Sequence, residues 1–131
     1  MKVLIIGATG PTGRELTAQA LDEGHDVRVL VRNPGAVSIW SPRLEVVQGD
    51  VRDWKTVGPA MAGMNAVLSA LGTGSDLRKT TLYSDGAKSI LWAMAESAVR
   101  RLVCVTSGGT IDDPGEPFLF RMLGRRALRH V

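Results

Sequence analysis

Seven consecutive residues, Gly7-Ala8-Thr9-Gly10-Pro11-Thr12-Gly13, hold the most specific chemistry in the chain. Three glycines spaced three apart make a loop whose backbone N–H groups are free to face an anion. An apolar run rich in β-branched residues (3–6) precedes the loop. A helical pattern over 14–23 follows it, with Leu16, Ala20 and Leu21 on one side. That strand–loop–helix context separates a phosphate-binding loop from an ordinary glycine turn. In it, Gly7 serves the tight turn, Gly10 lets backbone approach a pyrophosphate, and Gly13 lets the helix pack close to the strand. The helix N-terminus offers unpaired N–H groups and a partial positive charge. Thr9 and Thr12 add hydroxyl donors, and Arg14 in the first helical turn adds a cation. The pattern predicts a dinucleotide site.

The end of the second strand indicates which dinucleotide. An NAD site usually places Asp or Glu there for the ribose 2′-OH, whereas arginine accommodates a 2′-phosphate. Asp26 begins that strand, five residues from its crevice end, roughly 16 Å away at about 3.3 Å per residue. The crevice end carries Arg32 with Asn33 beside it, so the expected cofactor is NADP(H). In a parallel α/β sheet, ligands bind outside the carboxyl ends of the strands. Asp50 and Val51 are therefore expected to flank the adenine. Leu71, Gly72 and Thr73 should run beside the pyrophosphate and nicotinamide ribose, with Thr106 and Ser107 near the nicotinamide ring.

Alternating elements must position these residues. Strands are expected over 3–6, 26–32, 44–48, 65–71 and 102–105. Between them, Gly24 falls where a helix C′ residue belongs, Pro11 fits the first helical turn, and Asp53 is a candidate N-cap for a helix running to about Met61. Residues 80–99 carry Ala87, Ile90, Leu91, Met94 and Ala98 at helical spacing, and a last helical stripe joins Phe120, Leu123, Ala127, Leu128 and Val131. Crossovers of this length build right-handed βαβ units. The expected fold is α/β, a doubly wound parallel sheet of Rossmann type with strand order 3-2-1-4-5. It forms a single NAD(P)-binding domain over residues 1–131, expected to stop before the last strand of such a fold.

Composition excludes several other classes. The chain has 131 residues, 44% of them hydrophobic, and its apolar-rich stretches fall well short of the ~20 residues a membrane span needs. Residues 1–117 hold 12 Lys and Arg against 13 Asp and Glu. The formal +3 charge thus arises from Arg121, Arg125, Arg126 and Arg129, and a neutral body argues against nucleic acid as a partner. One cysteine, Cys104, forms no internal disulfide and suits a reducing cytoplasm; in an apolar strand it reads as an inert core thiol. His25 and His130, with that one cysteine, make no metal-ligand cluster. Trp40, Trp54 and Trp92 are too scattered for a nucleic-acid stacking platform and read as residues that pack or cap helices. Tyr83 and Lys88 stand five apart and precede the fifth strand, so they do not form the Tyr-x-x-x-Lys acid pair of classical short-chain dehydrogenases.

The glycine loop, Val29-Leu30-Val31-Arg32, Gly49-Asp50-Val51, Leu71-Gly72-Thr73 with Asp76-Leu77 and Thr80-Thr81, and Cys104-Val105-Thr106-Ser107 together resemble the atypical short-chain dehydrogenase/reductase family of NAD(P)H-binding proteins. Within it the likeness is strongest to the biliverdin reductase B type of flavin reductase, and the glycine loop also fits the NmrA-like regulators. The resemblance implies NADPH binding and hydride transfer to a flavin, biliverdin-like tetrapyrrole or quinone. It places Arg32 at the 2′-phosphate, Arg78 near the cofactor or substrate mouth, and Ser107 near nicotinamide and substrate as the candidate catalytic residue. A flavin acceptor needs no strong protein acid, so catalysis would rest on holding two rings face to face. The alternatives are a non-catalytic NADP(H)-sensing protein of the NmrA-like type, or an inactive fragment. A small-molecule acceptor, no membrane, and a monomer or weak oligomer complete the expectation.

Overall fold

The structure is a computed structural model describing residues 1–74 and 80–106. Strands β1 (Lys2–Ile6), β2 (Asp26–Val31), β3 (Leu44–Gln48), β4 (Ala66–Ser69) and β5 (Leu102–Cys104) form one parallel sheet in the order β3-β2-β1-β4-β5. That is the topology the alternation of patterns predicts. Helices α1 (Pro11–Asp22), α2 (Trp54–Met61) and α3 (Leu82–Glu96) are the main crossovers, and a 3-10 turn (Pro34–Ala36) lies between β2 and β3.

The central strand shows why a continuous apolar run reads as a doubly covered strand. Leu4 and Ile6 pack on one face with Val57, Met61, Val67 and Ile90. Val3 and Ile5 pack on the other with Ala20, Leu21 and Val29. Successive side chains leave a strand on opposite faces, so burial on both sides demands apolar residues at every position. Met61, at the end of α2, is fully buried. Met61→Ala is expected to cost about 2–5 kcal/mol through lost burial and the cavity left behind. Urea unfolding checks this as a lower midpoint with unchanged slope.

Local signals set the element ends. Pro11 occupies the first turn of α1, where its missing N–H leaves no helical bond unmade. Gly24 follows α1 with φ +82 and donates its N–H to the Leu21 carbonyl at 3.0 Å. The Asp53 carboxylate accepts from the Lys55 N–H at 3.0 Å and caps α2.

Three expectations require correction. The buried face of α3 is Gly86, Ser89, Ile90 and Ala93, whereas Ala87 and Ala98 are exposed and Leu91 is 57% exposed. The reason is steric. A Cβ at Gly86 would lie 3.0 Å from Leu71 Cδ1 and 3.3 Å from Val51 Cγ1, so the helix approaches the site on its small residues, which hydrophobic spacing does not register. Cys104 is exposed rather than a core thiol, lying on an edge strand of the described sheet. Trp54 and Trp92 do pack, edge to face at 4.6 Å, but Trp40 is 87% exposed. The helical stripe expected near the end of the chain lies outside the described residues.

Candidate nucleotide-binding site

A crevice of about 360 Å³ opens at the carboxyl ends of the strands. After β1 its wall is Gly7, Thr9, Gly10, Pro11 and Thr12; after β2 it is Arg32. Asp50 and Val51 line it after β3, and Leu71, Gly72 and Thr73 after β4. The fold thus brings together in one cleft eleven residues expected from sequence. Gly13 lies behind the wall, buried against the loop, and Arg14 is exposed outside it. Thr106 is exposed just beyond β5, where Val105 forms the wall. Arg78 and Ser107 lie outside the described residues. Asp26 pairs in register with Lys2 at the opposite end of the sheet, away from the cleft as its strand position predicts. Leu82, at the start of α3, also lines the crevice. It had no sequence signal beyond its place in the helix.

The loop geometry fits a pyrophosphate. Gly7 has φ +86, and a Cβ there would lie 2.4 Å from the Ala70 carbonyl oxygen. A Cβ at Gly13 would lie 2.0 Å from the Gly7 carbonyl oxygen. At Gly10 the nearest atom to a built Cβ is 3.5 Å away, so this glycine keeps the approach to the backbone open rather than relieving a clash. Gly10 is also the N-cap of α1 and supplies no capping side chain. No side chain therefore caps the start of the helix, whose Pro11 and Thr12 line the crevice, and an uncapped helix N-terminus suits an anion. Within the first turns of α1, the Thr17 hydroxyl donates to the Gly13 carbonyl at 2.7 Å, one turn back in the same helix.

Charge concentrates at the β2–β3 end. The Arg52 guanidinium donates to the Asp50 carboxylate, Nη2 to Oδ2 at 2.6 Å and Nε to Oδ1 at 3.1 Å. The Arg52 backbone N–H donates to Oδ1 at 2.9 Å. These contacts, with the charge of Arg32 adding a smaller effect, outweigh partial burial and hold the Asp50 pKa at about 2 against an ordinary 3.8. A carboxyl depressed by folding stabilises the native state above its unfolded pKa and loses that contribution as pH falls through the native one. Asp50→Asn is thus expected to lower stability at neutral pH and to flatten its decline between pH 3.8 and about 2. Urea midpoints across that range check it, and identical pH slopes in the two proteins would contradict it.

No acid pair comparable to Tyr-x-x-x-Lys occurs among the described residues. Tyr83 and Lys88 both lie on α3, and the Lys88 ammonium sits 3.7 Å from Asp85. Nor is there a metal-ligand cluster among them. No described helix is long and apolar enough to cross a membrane.

A parallel sheet in this order, with a glycine loop entering α1 and a crevice at the strand ends, defines a Rossmann dinucleotide-binding protein. The chain belongs to the NAD(P)H-binding family, whose profile matches residues 7–130, and the likeness to atypical short-chain dehydrogenase/reductase and NmrA-like proteins holds. Its cofactor is NAD(P)(H). It is 33% identical over 112 residues to the photosystem II assembly factor Ycf39 of Trieres chinensis, covering 82% of this chain and 34% of that protein. It is 29% identical over 119 residues to a (4-alkanoyl-5-oxo-2,5-dihydrofuran-3-yl)methyl phosphate reductase of Streptomyces griseus, covering 91% and 39%. A solved Rossmann-fold NAD(P)-binding family protein from Shigella flexneri superposes with TM-score 0.69 at 28% identity, covering 97% and 62%. The chain spans between 12% and 39% of the curated relatives named here or matching as well.

Proposed function

We propose that this domain binds NADP(H) in preference to NAD(H) and serves a reductase that passes hydride to a flavin, biliverdin-like or quinone acceptor. The observation that carries the cofactor preference is Arg32, which follows β2 directly and lines the crevice where an NAD site would place a carboxylate. When bound, the dinucleotide supplies the hydride. The chain supplies position. The glycine loop and the open N–H groups of α1 hold the pyrophosphate, and Arg32 holds the 2′-phosphate. Leu71, Leu82 and Val105 provide apolar wall at the β4–β5 end, where two stacked rings would be shielded from water. Ser107 orients the acceptor and Arg78 stands at the mouth in this reading. With no strong acid required, proximity is the main source of rate. The exposed, unpaired Cys104 suits a reducing cytoplasm, and the domain acts as a monomer or weak oligomer.

The reductase kinship of the Streptomyces griseus relative supports catalysis. The assembly-factor relative supports a second reading, in which the domain senses NADP(H) without turnover. Steady-state oxidation of NADPH in the presence of FMN, riboflavin or a quinone separates the two. Acceptor-dependent turnover is expected, and tight nucleotide binding with no turnover would establish the sensor.

A further inference from the structure

We propose that the outer face of α3, with the adjoining edge of α2, is a two-fold interface on which a second copy of this chain docks as a weak dimer. The inference is independent of the nucleotide reading, because none of the residues that form this face lines the crevice.

Helix α3 carries two stripes. Gly86, Ser89, Ile90 and Ala93 face the core. Lys88, Leu91, Trp92, Ala95 and Glu96 recur at i, i+3, i+4, i+7 and i+8, the spacing of a single helix face, and all five are exposed. The middle of this second stripe is apolar, with Leu91 57% and Trp92 45% exposed. Trp54, at the start of α2, widens it edge to face with Trp92 and is itself 48% exposed. Beside the tryptophans a groove of about 480 Å³ runs between the two helices, lined at its base by Gly58 and Ala93. Scattered exposed hydrophobic residues are ordinary, but a contiguous patch rimmed by charge marks an interaction surface. A tryptophan-centred patch inside a polar rim is the usual anatomy of a protein interface.

Charge selects the occupant. Lys88 and Glu96 stand four residues on either side of Trp92. When two copies of α3 cross antiparallel about a two-fold axis at Trp92, each residue meets the one equally far beyond Trp92 on the other copy. Lys88 of each copy then faces Glu96 of the other, and the symmetry makes the pair twice. A parallel crossing would set like charges together. The Lys88 side chain is 79% exposed, and its ammonium lies 3.7 Å from the Asp85 carboxylate. With Lys55 on the groove, the rim carries two cations, Lys55 and Lys88, and two anions, Asp85 and Glu96. A rim balanced in this way complements itself better than it complements a polyanion or a strongly basic partner.

The experiment is sedimentation equilibrium of the 131-residue chain up to about 1 mM, with Tm and NADPH affinity recorded for every variant. The wild type is expected to dimerise with a Kd on the order of 100 µM, the range of a small, transient interface. Lys88→Glu and Glu96→Lys each place like charges together twice and should raise that Kd about tenfold. The double variant Lys88→Glu/Glu96→Lys should return to within about threefold of wild type. Rescue cannot arise inside one chain, since the two positions lie about 12 Å apart along the helix. Leu91→Glu should raise the Kd tenfold or more by placing a charge in the apolar centre, and Leu91 belongs to neither core cluster, so the fold is retained. Tm and NADPH affinity should stay near wild type in the charge variants. A wild-type chain that is monomeric throughout the range overturns the proposal, as does a dimer insensitive to these substitutions. Failure of the double variant to recover overturns the antiparallel pairing, and with it the reason for choosing a second copy.

Discussion

Gly13→Ala is expected to destabilise the domain by about 3 kcal/mol, the upper end of the cost of overpacking a filled interior. The added carbon would sit 2.0 Å from the Gly7 carbonyl oxygen, 2.7 Å from the Gly7 carbonyl carbon and 2.8 Å from Ala8 Cα. All three are backbone atoms, so no rotamer change relieves the clash. Nor is the loop free to retreat. Gly7 lies against the Ala70 carbonyl, where its own Cβ would come within 2.4 Å, and β4 holds that carbonyl beside β1. Relief requires pushing α1 off β1, which opens the cluster of Ala8, Ala20 and Leu21. Against a typical total of about 5–15 kcal/mol this is a large fraction. Thermal unfolding should fall by roughly 10 °C, on the scaling for domains of this size. Gly10→Ala is the control. Its φ is −77 and its built Cβ has only an ordinary 3.5 Å contact, so the variant should melt within about 1 kcal/mol of wild type, the usual range of a tolerated small substitution. On the proposed reading of the loop it should nonetheless bind nucleotide poorly, because the methyl group would project into the crevice wall where a pyrophosphate is proposed to lie. Equal melting of the two variants would show that the loop opens and that Gly13 packing is not what closes it.

Arg32→Asp is expected to weaken NADPH binding by about 100-fold or more while changing NADH binding by less than about threefold. A hydrogen bond to a charged group contributes about 1.5–3 kcal/mol, or roughly 10- to 150-fold, and reversing the charge adds repulsion of the phosphate. Arg32 is exposed at the crevice edge, so salt screens the repulsive part and the effect should shrink as ionic strength rises. The substitution also places a second carboxylate near Asp50, whose charge Arg32 helps to stabilise. Titration calorimetry with both nucleotides at low and physiological salt reads each component. Equal losses for NADPH and NADH would remove Arg32 from the 2′-phosphate and leave it a surface arginine.

Much of the frame was legible from residue order because its signals are local. An unbroken apolar strand, a glycine loop and a helix with proline in its first turn are successive in sequence and successive in space. The same holds for Asp53, which caps α2 two residues from its partner Lys55, and for Gly24, whose positive φ ends α1. Strand order followed from the Rossmann class that the βαβ alternation and the glycine loop indicate. The cleft followed from strand direction, which is why residues as far apart as Thr9, Arg32, Asp50 and Thr73 could be assigned to one wall and are found there.

The features that escaped sequence reading depend on contacts between elements distant in the chain. Hydrophobic spacing placed the stripe of α3 on Ala87, Ile90, Leu91, Met94 and Ala98; Ile90 is buried, but the helix also turns Gly86, Ser89 and Ala93 inward, and at Gly86 Leu71 and Val51 leave little room for a Cβ. Which apolar residues remain exposed is decided by what they meet. Arg52 was equally invisible, since an arginine two residues beyond an aspartate has no meaning until the turn after β3 wraps its guanidinium around that carboxylate. The sequence by itself determined the class of sheet, the glycine loop and the cation at the end of β2, each set by steric and hydrogen-bonding rules acting over a few residues. Only the tertiary structure decided how closely α3 approaches the site, because that is set by packing between segments that the chain order keeps apart.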